Sequence, residues 1–274
     1  MKRKGIHKPT IEDAIEIGGI EILHPGGFEL TKRTAELCDL KSGMKVLDVS
    51  SGRGTQAVFY AKTFGVTVTG LDISEEMIST ATKKAEENKL GERVKFILGD
   101  SQYLPFADNT FDVVINECAV GIPDDSQKVI DEMLRVVKPN GAIAIHESTW
   151  RKPLSDNKKN EISERYGTTP LEFEEWKRML EKAGTTNIIS EFEQWSKPEM
   201  FWDIRKDRKV KSYKKVMTVS EKIVTAFRIY KVYGFKGVYK VFENEKKFFQ
   251  TVLKGELGYA LFKGIKKGNV SIKS

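Results

Sequence analysis

Residues 46–57, VLDVSSGRGTQA, decide the fold of this chain. The apolar residues of VLDV predict a short buried strand. Gly52 and Gly54 then permit backbone conformations and close approaches that a Cβ atom would hinder. Residues 66–72, VTVTGLD, form a second apolar segment that ends at Asp72. The pattern predicts a strand, a glycine turn, a helix and a second strand.

Acidic residues at the strand ends indicate which ligand this unit binds. Asp72 can hold both hydroxyls of a ribose through charge-assisted hydrogen bonds, so a nucleoside cofactor is expected. Gly52, Gly54 and Ala57 also satisfy the relaxed dinucleotide fingerprint. Asp48 would repel a pyrophosphate, but it suits a cofactor that carries an amino group and a sulfonium. S-adenosylmethionine has this charge pattern.

These residues resemble the class I S-adenosylmethionine-dependent methyltransferases, whose glycine motif reads roughly Val-Leu-Asp-x-Gly-x-Gly-x-Gly. Ser50 occupies the position of the first glycine in this motif. Residues 94–117, VKFILGDSQYLPFADNTFDVVINE, resemble the third strand, adenine loop and fourth strand of that family. Residues 134–147, LRVVKPNGAIAIHE, resemble its helix end, turn and fifth strand. The resemblance covers about residues 20–195 and the last strand, and it is to the group that includes quinone-biosynthesis, sterol and arsenite enzymes.

The resemblance implies S-adenosylmethionine as cofactor, with S-adenosylhomocysteine as product, and it assigns the contacts. Asp48 and the glycine turn would line the methionine portion, and Asp72 would take the ribose. Ile73 and Ser101 would flank the adenine, and Asp100 would accept from its amino group. A turn-capping role is the alternative for Asp100. The expected cofactor-binding set is Asp48, Ser50, Ser51, Gly52, Gly54, Asp72, Ile73, Met77, Asp100, Ser101 and Asn116.

Methyl transfer from sulfur depends mainly on alignment and a dry pocket. A general base is needed only where the acceptor loses a proton. Glu117 and His146 follow the predicted strands four and five, at the edge where α/β sheets bind ligands. His24, in the HPGG turn, completes the candidate catalytic set. The alternative for His146 is a structural role in which a backbone group is its hydrogen-bond partner. The alternative for His24 is a structural role in the turn.

The cysteines exclude some chemistry. The chain has two cysteines and three histidines, without a CxxC pair, so neither a disulfide framework nor a metal site is expected. The segment after Asn116 is similar to the arsenite methyltransferase branch, where a cysteine at the position of Cys118 helps to bind arsenic. Only Cys38 accompanies it, so a metalloid would be under-ligated. We expect Cys118 to be a small buried residue that lines the acceptor pocket.

The order of elements predicts an α/β fold. We expect a Rossmann-like, seven-stranded, mostly parallel sheet with an antiparallel last strand and helices on both faces. Residues 1–40 should be N-terminal helices that close over the cofactor site, and residues 41–196 the cofactor-binding core. Residues 197–254 should be a helical insertion between strands six and seven that covers the acceptor. Residues 255–274 should supply the final strand and a tail.

Local signals set the expected element limits. Thr10 should begin a helix, and a second helix should run over 28–37 after the HPGG turn. Ser74 should cap a helix that reaches Asn88, and Asp124 or Asp125 should begin the next one. Further predictions are a helix from Thr169 to Gly184 and a sixth strand over 187–195. In the insertion, Thr218 and Glu221 resemble a capping box, and Gly234 should end that helix.

Positive charge is concentrated in the predicted insertion. The whole chain carries +7, whereas residues 197–254 contain 16 Lys and Arg against 6 Asp and Glu, with eleven aromatic residues. The plain interpretation is that the aromatic residues pack on the core and the lysines solvate the surface. The excess nevertheless favours an anionic partner. We expect a small-molecule acceptor, anionic or lipophilic; a nucleic acid or a membrane surface is less favoured, and both a monomer and a homodimer stay open.

The location and the leading function follow from these features. There is no run of about 18 uncharged apolar residues, and MKRKGIHKPT does not lead into an apolar signal core, so a cytoplasmic protein is expected. The leading hypothesis is a small-molecule methyltransferase. An RNA or protein methyltransferase would use the basic insertion as a platform, but an Asn-Pro-Pro-Tyr type motif is missing after strand four. A nucleoside-binding module that docks on a membrane or partner is the other alternative.

Overall fold

The computed structural model describes residues 9–19, 21 and 23–268. They divide into two compact units. The helical unit contains the described residues of 1–30 together with 148–172 and 192–259, and the sheet unit contains 31–147, 173–191 and the described residues of 260–274. Residues 1–8, at the start of the predicted N-terminal segment, and 269–274, in the predicted tail, lie outside the described residues.

The described strands form one eight-stranded sheet with the order β3-β2-β1-β4-β5-β8-β7 and β6 paired to β5. Strands β1 to β5 pair in parallel, whereas β8 is antiparallel to β7. The predicted α/β class, the mostly parallel sheet and the antiparallel last strand are confirmed. The strands are β1 Lys45–Val49, β2 Thr67–Asp72, β3 Val94–Leu98, β4 Phe111–Glu117, β5 Val137–Trp150, β6 Leu171–Glu172, β7 Thr185–Glu191 and β8 Leu257–Lys266.

The helices begin largely at the predicted caps. The Thr10 side chain accepts a hydrogen bond from the Asp13 backbone N–H. The Ser74 side chain likewise accepts from the Met77 backbone N–H, and the Asp125 side chain accepts from the Lys128 backbone N–H. The described α-helices are α1 Ile11–Gly18, α2 Gly27–Leu37, α3 Thr55–Phe64, α4 Glu75–Glu87, α5 Ser126–Val136, α6 Asp156–Tyr166, α7 Phe173–Ala183 and α8 Val219–Leu253.

Some element limits differ from the sequence prediction. The sixth predicted strand is β7, which ends at Glu191, whereas Trp195 lies in a turn. The two-residue strand β6 occupies the start of the predicted helix, so α7 begins at Phe173. Helix α6 was not predicted, because it buries only Ile162 and Tyr166 and therefore shows no clear apolar stripe.

Helix α8 contains the break that the sequence predicts at Gly234. This residue has φ 66° and ψ −171°, which interrupt the helical backbone. Thr225 and Ile229 are buried on the α8 face that packs on α1, and a Cβ atom on Gly18 would lie 3.2 Å from the Thr225 hydroxyl. Arg228 donates to the Gly18 carbonyl over 2.8 Å. The predicted segment limits at 40, 196 and 254, and the predicted covering role of 197–254, stay predictions.

The described helices include none that could span a membrane. Not one of them is both long enough and apolar enough to cross a bilayer.

Candidate cofactor and catalytic site

The glycine turn after β1 has a left-handed backbone at three positions. Ser50, Gly52 and Gly54 have φ values of 59°, 50° and 71°. A Cβ atom on Gly54 would lie 2.5 Å from Cζ of Phe96, so packing requires a glycine there. A Cβ atom on Gly52 would meet no described atom within 4 Å. The backbone at Gly52 therefore faces open space that a ligand can approach.

Ser50 is the residue by which this turn departs from the resembling glycine motif. Its left-handed backbone costs an L-residue roughly 1–2 kcal/mol, which glycine does not incur. The serine therefore keeps the turn geometry at the expense of some stability.

Asp72 ties the glycine turn to the second strand. Its Oδ2 accepts from the Gly52 backbone N–H over 2.9 Å, and its Oδ1 accepts from the Ser74 N–H over 2.9 Å. Burial raises the pKa of Asp72, and these backbone hydrogen bonds partly oppose the rise. A carboxylate oxygen has more than one acceptor site, so Asp72 can still bind ribose hydroxyls. The neighbouring Ile73 side chain is exposed, as a residue that flanks a ligand would be.

Three buried polar atoms near this turn have no hydrogen-bond partner among the described residues. They are Oδ2 of Asp48, Oγ of Ser51 and Nδ2 of Asn116. Asp48 and Asn116 lie on the adjacent parallel strands β1 and β4, where Val49 is paired with Asn116. Buried polar groups normally have partners, so the set indicates a polar ligand at this edge of the sheet.

The charge of the set indicates the kind of ligand. Burial, and then the carboxylates of Glu117 and Asp72, raise the pKa of Asp48 well above its ordinary value. A cationic ligand group would offset this repulsion and favour the ionised carboxylate. The open backbone at Gly52, the unpartnered atoms and the anionic surroundings fit the amino group and sulfonium of S-adenosylmethionine.

The predicted adenine contacts lie beyond β3. Asp100 accepts from the Gln102 backbone N–H over 2.9 Å, which is the turn-capping contact considered as its alternative role. Ser101 is buried and Met77 is half-buried. The adenine roles of these residues stay predictions.

Glu117 and His146 are brought together by strand pairing. The two residues are register partners in β4 and β5. Nε2 of His146 lies 3.3 Å from Oε2 of Glu117, and their side chains are 0% and 3% exposed. Thr31 donates to Oε2 of Glu117 over 2.9 Å, and the Tyr60 hydroxyl donates to Oε1. The carboxylate is thus held by partners on two helices and a neighbouring strand.

Sequence reasoning missed Thr31 and Tyr60. Tyr60 lies on the buried face of α3 and Thr31 is buried in α2, so their sequence pattern is that of ordinary core residues. Burial and the adjacent Glu117 raise the pKa of Tyr60 well above its usual value, so its hydroxyl stays protonated and donates.

His24, the third catalytic candidate, lies in the helical unit. Its ring is buried, its Nδ1 lies 2.8 Å from the Pro25 carbonyl oxygen, and it stacks on Tyr259 at a centroid distance of 6.4 Å. The Gly27 N–H donates to the His24 carbonyl. These contacts place His24 in the turn before α2, and its catalytic role stays a prediction.

Both cysteines of the chain, Cys38 and Cys118, are free thiols. Cys38 is buried, and burial raises the pKa of its thiol to about 12. Cys118 is half-buried rather than buried as predicted, and it has a left-handed φ of 65°. Its lining role in an acceptor pocket stays a prediction.

Comparison with known proteins supports the same chemistry. Residues 40–184 match the family described as "Methyltransferase domain". The chain is 36% identical to methyltransferase GfsG of Streptomyces halstedii over 50% of this chain and 49% of that protein. It is 37% identical to the arsenite methyltransferase of Halobacterium salinarum over 42% of this chain and 30% of that protein. The chain therefore spans about half or less of the length of these two relatives.

A solved structure shares the fold over most of the chain. Phosphoethanolamine N-methyltransferase 2 of Haemonchus contortus, in complex with phosphomonomethylethanolamine and S-adenosylhomocysteine, superposes with a TM-score of 0.69 and 21% identity. The superposition covers 94% of this chain and 58% of that one.

The sheet order, the glycine turn and the acidic strand ends define a Rossmann-like domain that binds a nucleoside cofactor. Because the family match covers more than half of the sequence, the chain belongs to the methyltransferase-domain family of class I S-adenosylmethionine-dependent enzymes. S-adenosylmethionine is its cofactor, and nothing in these comparisons favours an RNA or protein methyltransferase.

Proposed function

We propose that this protein methylates an anionic small molecule with S-adenosylmethionine as methyl donor. The observation that carries the proposal is the set of unpartnered buried atoms on Asp48, Ser51 and Asn116 beside the open backbone of Gly52. Binding of a dinucleotide would place the Asp48 carboxylate next to a pyrophosphate, and the two negative groups would repel each other.

The cofactor contacts follow from the same atoms. We assign the amino group and sulfonium to the surroundings of Asp48, with Ser50, Ser51 and Asn116 as polar neighbours. Asp72 is assigned to the ribose hydroxyls, since its carboxylate is already fixed by Gly52 and Ser74. The remaining assignments are Gly54 for the shape of the turn, and Ile73, Met77, Asp100 and Ser101 for the adenine.

We assign proton transfer to Glu117 and His146. Methyl transfer itself needs alignment, but an acceptor with an N–H or O–H must also lose a proton. The Glu117 carboxylate is held by Thr31 and Tyr60, so it can orient the His146 imidazole and stabilise its protonated form. For His24, the contacts to Pro25 and Tyr259 support a structural role in the turn.

The charge of residues 197–254 supports an anionic acceptor. This segment carries ten more basic than acidic residues, whereas the rest of the chain is slightly acidic. One similar protein of known structure was crystallised with phosphomonomethylethanolamine, a phosphate monoester. An arsenite acceptor is disfavoured here, since Cys38 is buried and protonated and leaves Cys118 alone as a soft ligand.

The proposal is tested by calorimetry and by turnover. S-adenosylmethionine and S-adenosylhomocysteine should bind to the native protein. Asp48→Asn should weaken S-adenosylmethionine binding by about tenfold or more, because one charge-assisted contact is lost. A panel of small amines, phosphate monoesters, carboxylates and phenols should then yield S-adenosylhomocysteine with at least one anionic member. Binding of NADH with indifference to both adenosyl ligands would refute the proposal.

A further inference from the structure

Helix α8 presents an unusually apolar surface to solvent within the helical unit. Large side chains are exposed along residues 219–239, reaching 80% for Phe235 and 73% for Tyr239. We call this set the exposed α8 surface. Its members are Val219, Ile223, Phe227, Tyr230, Phe235 and Tyr239.

Packing inside the helical unit does not account for this surface. The face of α8 that packs within the unit is supplied by other residues, including Thr225, Ile229 and Val241, which are buried. Arg228 bonds to Gly18 on that side. Contiguous exposed apolar side chains on a protein surface usually mark an interaction site.

The aromatic residues of the surface are organised around the break in the helix. The rings of Tyr230 and Phe235 lie 4.7 Å apart across Gly234. Lys231 lies over the ring of Phe227, with its Nζ 4.5 Å from the centroid. Aromatic rings and a cation therefore share the same exposed area.

The charge around this surface is strongly positive. Between residues 219 and 240 the only acidic residue is Glu221, whereas five residues are basic. Arg228 bonds to Gly18 on the packed side and Lys240 pairs with Glu243 over 2.9 Å, so Lys222, Lys231 and Lys236 supply the basic margin. Glu221 is paired with Arg205 and accepts from the Thr218 backbone N–H, so its charge is offset locally. The exposed α8 surface is thus apolar with a basic margin.

We propose that the exposed α8 surface docks on an anionic phospholipid bilayer. The apolar side chains would enter the boundary between headgroups and acyl chains, and the lysines would contact lipid phosphates. Lysine side chains suit this arrangement because their alkyl stems lie along apolar surface while the amines reach the headgroups. The helix lies on the membrane and does not cross it.

Charge and side-chain type favour a bilayer over two other occupants. A second copy of the chain would set one basic surface against another, which opposes association. Single-stranded nucleic acid binds on aromatic platforms between basic groups, whereas Val219 and Ile223 are exposed aliphatic residues that cannot stack on a base. An anionic bilayer complements both the aliphatic and the basic residues.

Vesicle co-sedimentation of the full chain without S-adenosylmethionine tests the proposal separately from methyl transfer. The protein should bind vesicles of phosphatidylcholine with about one third phosphatidylglycerol at least tenfold more tightly than phosphatidylcholine alone. Phe227→Ser with Phe235→Ser should weaken binding by about tenfold or more. Lys231→Glu with Lys236→Glu should remove the preference for anionic lipid.

Matched controls come from exposed residues of the sheet unit. Ile189→Ser removes an exposed aliphatic side chain, and Lys83→Glu with Lys95→Glu reverses two exposed charges. All four variants should keep the native thermal midpoint, and both controls should bind vesicles like the native protein. Absence of binding to anionic vesicles would overturn the proposal. So would a dimer in sedimentation that Phe227→Ser with Phe235→Ser dissociates, or equal losses in the control variants.

Discussion

Nε2 of His146 lies 3.3 Å from Oε2 of Glu117, and neither side chain is more than 3% exposed. A carboxylate and an imidazole buried together gain from sharing a proton, since each charge is then balanced by the other. Thr31 and Tyr60 hold the carboxylate in place. This buried contact is the basis of the proton-transfer role that we propose for the pair.

Changing Glu117 should separate catalysis from cofactor binding. We expect Glu117→Gln to lower kcat by about a hundredfold for an acceptor that loses a proton, a common contribution of general-base catalysis. The calorimetric Kd for S-adenosylmethionine should rise by a much smaller factor, because Glu117 supplies only part of the negative charge around Asp48. Tyr60→Phe, which removes one donor and keeps the ring, should have a smaller effect on kcat. An unchanged kcat across pH in Glu117→Gln would assign the pair to structure alone.

The two glycines of the turn should respond differently to a methyl group. Gly52→Ala should meet no steric clash, because its Cβ has open space, but the left-handed φ of 50° should cost roughly 1–2 kcal/mol of stability. The added methyl group should weaken S-adenosylmethionine binding by about tenfold or more. Gly54→Ala should lower the free energy of unfolding by about 2–4 kcal/mol, since its Cβ would meet Phe96 and Ala81. Chemical denaturation and calorimetry on both variants measure these effects. Equal cofactor affinities in Gly52→Ala and the native protein would contradict the site.

Asp48 should destabilise the cofactor-free protein as pH rises. Burial and the neighbouring Glu117 and Asp72 raise its pKa in the folded state, so the folded protein holds a proton that the unfolded chain releases. The free energy of unfolding therefore falls as pH rises from the pKa of Asp48 in the unfolded chain towards its higher pKa in the folded protein. Asp48→Asn should therefore be more stable than the native protein at pH 8, and the difference should vanish near pH 4.

Asp112 provides a control of opposite sign. Burial alone would raise its pKa, but hydrogen bonds from Lys138 and the Lys45 N–H lower it overall. Asp112 contributes to stability above its pKa in the unfolded chain, and this contribution is lost as pH falls through its lower pKa in the folded protein. Asp112→Asn should be less stable than the native protein at pH 7 and equally stable at strongly acidic pH. Urea titrations across pH measure both variants; parallel profiles would contradict the assignment.

Ser50→Gly should stabilise the protein. The left-handed φ of 59° strains a serine, so glycine should raise the free energy of unfolding by about 0.5–1 kcal/mol after its own entropic cost. Lys89→Gly, at φ 57° in an exposed position, is the matched control and should give a similar gain. A loss of stability in Ser50→Gly alone would indicate that the serine hydroxyl outweighs the backbone strain.

The first half of the nucleotide-binding unit could be predicted because its signals are local. A short apolar strand, a glycine turn and a second strand ending in an acid lie within 27 consecutive residues, 46–72. Helix caps such as Ser74 and Asp125 also act over three residues. The short strand β6 and helix α6 were missed, because β6 forms only through pairing of Leu171 with Thr149 and α6 buries few residues.

The sequence by itself determined the order of the elements, the glycine turn with its acids, and therefore the class of cofactor, since these depend on neighbouring residues and backbone preferences. Only the tertiary structure decided that Thr31, Tyr60, Glu117 and His146 meet, because strand register and helix packing join residues up to 115 positions apart in sequence, from 31 to 146. It also decided which polar atoms stay buried without a partner. Burial and long-range pairing are properties of the folded chain, and no local pattern encodes them.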